Sequence, residues 1–367
     1  MGYDLYAEYP CIRESDVRRI VGDDRRAPYT ELTDIYTRVN LLAQSVIADA
    51  KEFAKNGHFK YGGGYKSLLH YNRGKNSYTA ELIEPYLNRL DQLGIYPPSV
   101  DIQSLPPYSF FLQFQFRLIR PYTSGDDTPF YIHDNPITKD PVFKLPMVRP
   151  SAWKGHLRAV ASLMGYPAAV INRLFGDAKK DDDPDAEKWG RRGRLRTYPT
   201  FFDAIDLQVI NPHDRKTKAG TVPVMLEVAP KGACGYFSLL YFPFDLISQS
   251  PKQVKAEVKE DLQMLNKIIR STLTVYGFSA KKSKGFGQTS ISFVRKKGNL
   301  PPVVTGKFGM SGLQIELSAP PQQHSGGGSW QAQLQAIKHT STPASGWQTF
   351  GDFNELNQVI KTVVRHL

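Results

Sequence analysis

Near residue 109 the apolar period of this chain switches from helical to extended, and that switch narrows the possible folds more than any other feature. In Ser109–Arg120, Leu112, Phe114, Phe116 and Leu118 alternate with Gln113, Gln115 and Arg117. A period of two predicts a strand with one buried face and one polar, basic face. Before it the spacing is helical. Ile35, Val39, Leu42, Val46 and Phe53 predict a helix in 31–55 that stops at Gly57, and Leu82, Tyr86, Leu90 and Leu93 predict another over 79–93. Pro-Pro pairs at 97–98 and 106–107 bracket a linker.

Beyond the strand, the expected elements alternate. A loop rich in Gly, Asp and Pro (121–150) leads to a helix that Ser151 should cap, and a short helix over Ala168–Phe175 should end at Gly176. Residues 177–197 carry the acidic run Asp181–Asp183 and the basic cluster Arg191, Arg192, Arg194 and Arg196, the pattern of a solvated loop. Strand-like segments follow near 199–209, 221–228 and 235–243. A long helix is expected from Ser250 as cap and Pro251 at its first position, and Gln288–Val294 alternates again as a closing strand. The order β, α, β, β(β), α, β over 108–298 predicts an α+β fold with a ferredoxin-like βαββαβ core. Residues 1–107 read as a helical N-terminal extension. Residues 299–367 read as a C-terminal extension with a Gly-Ser linker at 325–329 and an amphipathic terminal helix.

Composition excludes several classes. The 367 residues are 41% apolar, enough for a core, and two cysteines make no disulfide framework. Absence of a long apolar run or signal-peptide pattern leads to the expectation of a cytoplasmic chain with no membrane partner. Eight scattered histidines show no metal-ligand spacing, and the acidic run lacks that of a calcium loop. A formal charge of +12 suggests a polyanionic partner, and the excess is uneven. From Pro141 to Gly176 there are five cationic residues and no acidic one, and from Gly277 to Gly298 six and none. Lys154 and Arg158, four apart in the first turns of a helix, share a face near its free N–H groups, a seat for phosphate. In the loop Gly277–Gly287, Lys281, Lys282 and Lys284 supply charge, Gly285 and Gly287 allow close approach, and Phe286 is a candidate to stack on a base.

These segments together resemble the repeat-associated mysterious protein (RAMP) superfamily, the backbone subunits of type III CRISPR effector complexes. The resemblance lies in Asp134-Asn135-Pro136-Ile137-Thr138-Lys139-Asp140-Pro141, in Arg149-Pro150-Ser151-Ala152-Trp153-Lys154-Gly155-His156-Leu157-Arg158, in Leu174-Phe175-Gly176, in Phe202-Asp203-Ala204 and in the glycine-rich loop 277–287. It departs from the family block where Ala152-Trp153 replaces a serine and a leucine.

The resemblance implies a modified RNA-recognition fold bound to guide CRISPR RNA, complementary target RNA and other subunits of the complex. Ser151, Lys154 and Arg158 would hold guide phosphates, and Gly285 and Gly287 would shape a loop approaching the guide. A thumb hairpin would carry His213, Arg215, Lys216 and Lys218. Asp134 would be the catalytic residue and metal ligand of an endoribonuclease using Mg²⁺ or another divalent cation to cleave target RNA. Two alternatives remain open: a non-catalytic structural or end-capping subunit, and a metal-independent endonuclease that processes repeat RNA.

Overall fold

The computed structural model describes residues 4–22, 32–58, 63–70, 76–125, 130–177, 192–212, 220, 222–290, 303–308, 313–318 and 351–367. It is a mixed helix and sheet protein. The main sheet is built on β1 (Phe110–Arg117), which pairs along its whole length with β7 (Cys234–Tyr241), Phe110 opposite Tyr241 and Arg117 opposite Cys234. Strand order is β3 (Leu195–Thr197), β7, β1, β8 (Val303–Phe308), β9 (Leu313–Ser318), and every pairing is antiparallel. Two short ladders stand apart: β2 (Met147–Val148) with β4 (Thr200–Phe201), and the hairpin β5 (Asp206–Ile210) with β6 (Val224–Val228).

Helix α6 (Pro150–Leu163) follows β1, and α7 (Ala168–Phe175) follows it, ending at Gly176 with φ of 84°. Pro150 occupies the first helical position, so the helix starts one residue before the expected cap. Arg149 is the N-cap residue, and Ser151 lies inside the first turn and caps nothing. Helix α8 (Pro251–Ser271) begins as its sequence dictates, with the Ser250 hydroxyl accepting from the Gln253 N–H. The terminal helix α9 (Phe353–His366) packs against α8 and sends Phe353 to within 5.7 Å of Phe114 on β1.

In β1 the expected polar face is not open. Phe111 packs with Ile102 and Leu240, and Gln113, 5% exposed, donates to the Pro98 carbonyl and to Ser238 Oγ. The linker 98–105 covers that face, and only Arg117 at the far end is exposed. Among the described residues, the expected closing strand pairs at one bridge, Thr289 with Leu118. Residues 291–294 lie outside the described residues, as do the linker 325–329 and the acidic run Asp181–Asp183.

The helix expected over 31–55 is two, α2 (Ile35–Leu42) and α3 (Lys51–Asn56), separated by a 3₁₀ turn, Ala43–Ile47. Ala48 is extended, which ends the helical path ahead of α3. The 79–93 helix forms with a wide first turn, Thr79–Ile83, ahead of α5 (Glu84–Gln92), where Pro85 can donate no hydrogen bond. Tyr65 in α4 (Tyr65–Leu69), Tyr78 and Tyr96 join these helices to the rest. Their hydroxyls reach Glu227, the Lys144 carbonyl and the Phe201 carbonyl. One hydrophobic cluster includes Val39 and Leu82, Phe114, Trp153 and Phe237, and Val359, so all three stretches of chain share a core.

Candidate nucleic-acid interface

Helix α6 organises the site. Its buried stripe, Trp153, Leu157, Val160 and Ala161, lies on the sheet, leaving Ser151, Lys154 and Arg158 on one flank and His156 on the other. Trp153 is fully buried. Its Nε1 donates to Thr200 Oγ1 at 2.9 Å, and its ring lies 4.4 Å from that of Phe278 in the glycine loop. The residue that departs from the family block therefore fixes the loop to the helix.

On the first flank Ser151 and Lys154 line an open cleft of about 530 Å³ with Gly176, Asp177, Arg192, Gly193 and Arg196. Lys154 is half-buried, and among the described residues no carboxylate pairs with it. Partial burial and the nearby Arg196 and Arg158 guanidinium groups hold its ammonium pKa below the usual lysine value. Like charges crowded in a concavity favour an anion. Arg158 is engaged otherwise: it donates to the Gly176 carbonyl at 2.6 Å and to Asn172 Oδ1 at 2.7 Å, bracing the end of α7. Arg196 is exposed beside Lys154 in the cleft, donating from one guanidinium nitrogen to the Gly193 and Leu195 carbonyls.

The sequence places Arg194 and Arg196 together in a solvated cluster, and the structure corrects this for Arg194. Arg194 is 1% exposed and pairs with Asp245, Glu257 and Asp261. A run of arginines carries no signal of which one turns inward.

On the second flank the glycine loop is anchored by Ala280 N–H to the Thr123 carbonyl and by Gly287 N–H to the Pro121 carbonyl. Gly285 and Gly287 have φ of 76° and 74°, and a Cβ on Gly287 would stand 2.7 Å from the Ser279 nitrogen. Lys281, Lys282 and Lys284 are exposed. Lys282 lies near enough to His156 to add to the burial that lowers that imidazole to about 4. Phe286 does not stack on a base: it is 5% exposed and packs under the β5–β6 hairpin against Leu226 and Val228. An aromatic ring among lysines and glycines reads alike whether it points out or in. The loop and the Lys154 cleft thus flank one helix, with exposed Gly155 and Ala159 between them.

Asp134 stands on a separate loop, held by Glu227. That buried carboxylate accepts from Tyr65 and Lys139, from Tyr131 at 2.8 Å and from the Ile137 N–H at 3.0 Å. Burial pushes its carboxyl above the usual range. Asp134 itself is 76% exposed and takes Lys55 Nζ at 2.8 Å on Oδ2, which keeps its carboxyl below the usual aspartate value. His133 beside it is buried, accepts at Nδ1 from the Asn135 N–H and is lowered to about 4 by desolvation.

The divalent ion implied by the family resemblance does not fit this donor set. Asp134 faces lysine ammonium groups, and among the described residues no three His, Cys, Asp or Glu side chains form a metal-binding group. Asp126 and Asp127, and the thumb residues His213, Arg215, Lys216 and Lys218, lie outside the described residues. The strands flanking that thumb are paired, Ile210 opposite Val224.

Comparison with known proteins agrees with the motifs. A family model described as RAMPs, the RAMP superfamily, matches residues 62–290, well over half of the chain, and the chain belongs to that superfamily. It is similar to a protein of Streptococcus thermophilus named CRISPR system Cms endoribonuclease Csm3, 23% identical over 199 residues, which are 51% of this chain and 84% of that protein. A chain in the cryo-EM structure of the Type III-B Cmr-beta bound to cognate target RNA is 14% identical with a TM-score of 0.40, covering 72% of this chain and 92% of that one. Among the described residues no helix is long and apolar enough to cross a membrane.

Proposed function

We propose that this chain is a backbone subunit of a type III CRISPR ribonucleoprotein that grips guide RNA along α6. Supporting this, Lys154 is crowded by Arg158 and Arg196 in an open cleft beside the first turn of that helix. A strand laid over Gly155 and Ala159 would meet the cleft on one side and Lys281, Lys282 and Lys284 on the other. Residues 108–298 form the RNA-binding core in this reading, between extensions 1–107 and 299–367. Its ferredoxin-like character is supported by the order β1, α6, β3, β7, α8 within it and by β8, a strand contributed from the 299–367 segment, which pairs with β1 on the side away from β7.

The experiment is guide-RNA binding by the full chain. Lys154→Ala and Arg196→Ala should each weaken it by roughly tenfold, the loss of about one charge-assisted hydrogen bond, regardless of sequence. Unchanged affinity in both overturns the reading.

Cleavage of target RNA at Asp134 belongs to the same reading. An exposed, ionised carboxylate can take the proton of a ribose 2′-hydroxyl as that oxygen attacks the adjacent phosphorus. The P–O5′ bond breaks, and the 5′-oxygen takes a proton from water. The Lys55–Asp134 pair favours the second reading, a subunit that binds without cutting. Asp134→Ala in the assembled complex separates them: lost cleavage with intact guide binding assigns the chemistry, and persistent cutting removes it.

A further inference from the structure

The corner around Asp134 has the charge of an anion site. Lys51 and Lys55 are four apart on α3, so they project from one helix face a turn apart. Lys55 contacts the carboxylate, and Lys51 also acts on it electrostatically. The neighbouring His133 is buried and accepts a hydrogen bond at Nδ1, so it is neutral and adds no charge. Asp140, in the same loop, is turned onto the N–H groups of Val142 and Phe143. Two ammonium groups act on the Asp134 carboxylate, Glu52 beside Lys51 being turned onto the Asn56 side-chain amide, and three-quarters of the Asp134 side chain is open to solvent. A divalent cation meets repulsion there. A phosphate meets attraction, and the carboxylate remains able to accept one more hydrogen bond.

We infer that Lys51, Lys55 and Asp134 form a ribose-phosphate site. The lysines hold a backbone phosphate of bound RNA, and Asp134 accepts from the adjacent 2′-hydroxyl. Both lysines precede residues 62–290, the part matched by the superfamily model, so they lie in the N-terminal segment. It rests on the reading of the chain as RNA-binding. It also gives the pairing of Lys55 with Asp134 a purpose: the ammonium presents the carboxylate toward a sugar and brings the positive charge that the sugar's phosphate needs.

The test uses the full chain, a labelled 20-nucleotide single-stranded RNA and DNA of the same sequence, with affinity measured between 50 and 200 mM KCl. Lys51→Ala with Lys55→Ala should lower RNA affinity about tenfold and flatten the log–log salt slope by about 0.7, the worth of the one single-strand phosphate the pair holds. Lys51→Arg with Lys55→Arg should restore both. Asp134→Ala should weaken RNA more than DNA. Should the double alanine variant fail to fold, Lys51→Gln alone should weaken RNA binding and flatten the slope in the same direction.

Unchanged affinity and slope in the lysine variants, with Lys154→Ala still weakening RNA, overturn the inference and leave the proposed function standing. No loss in either set overturns both. Mn²⁺ titration of the RNA-free chain gives a second readout: binding that disappears in Asp134→Ala makes this a cation site and overturns the inference, whereas its absence supports the phosphate assignment.

Discussion

The Phe278 ring lies 4.4 Å from that of Trp153, and this one contact joins the glycine loop to the helix that carries Lys154. Phe237 packs edge-on to the same indole at 5.0 Å, so sheet, helix and loop meet at a single side chain. The bulky residue at this position thereby sets the spacing between two basic surfaces.

Trp153→Ala should cost about 3–5 kcal/mol of stability, the range for emptying a large buried aromatic site. Chemical denaturation reads it as a lower midpoint. Trp153→Phe retains most of the packing but loses the hydrogen bond to Thr200, and should fall between the two.

Arg194 is a second buried dependency. It bridges Asp245 on the loop after β7 to Glu257 and Asp261 on α8. Arg194→Ala leaves Asp261 buried with part of its compensation gone and should destabilise by roughly 3–5 kcal/mol. Arg192→Ala, an exposed neighbour, should move the denaturation midpoint little.

Two buried histidines should each favour unfolding in acid over a defined window. His133 and His156 are each lowered from 6.5 to about 4 by burial. Above pH 6.5 both are neutral folded and unfolded, and contribute no pH dependence. Between 6.5 and 4 the unfolded chain binds protons that the folded chain refuses, so stability falls, by up to ~3 kcal/mol per histidine, and levels off below 4. The Glu227 carboxyl, raised to about 8, works the other way across this window, so the test is a comparison: between pH 7 and 4 the urea midpoint of the wild type should fall relative to that of His156→Gln.

Phe286 and the three loop lysines should separate cleanly. Phe286→Ala lowers stability by about 3–5 kcal/mol while leaving the RNA affinity of the folded fraction unchanged. Replacing Lys281, Lys282 and Lys284 by alanine leaves stability nearly unaltered, weakens RNA and flattens the salt slope by about 2. A Phe286 variant that loses RNA affinity while fully folded would contradict the buried placement.

Much of the architecture was legible in local signals. Ser250-Pro251 starts α8, Gly176 ends α7, and the alternation around Phe114 marks β1. Such signals depend on neighbours along the chain, where backbone geometry and side-chain period act directly. The basic surfaces beside α6 were visible in the same way, as stretches of sequence with lysine and arginine and no acid.

What the chain could not announce was which polar groups meet across long separations. Gln113 is covered because residues 98–105 fold over β1, and Arg194 is buried because α8 brings it three carboxylates. Phe286 turns under the β5–β6 hairpin, Arg196 enters the Lys154 cleft, and Lys55 crosses 79 residues to reach Asp134. The sequence by itself determined many of the elements and the family, but not that β8 and β9 extend the main sheet beside β1. Tertiary packing alone decided which charges neutralise one another and which remain for a ligand, because pairing energy depends on distance and burial in space, and neither is encoded by position in the chain.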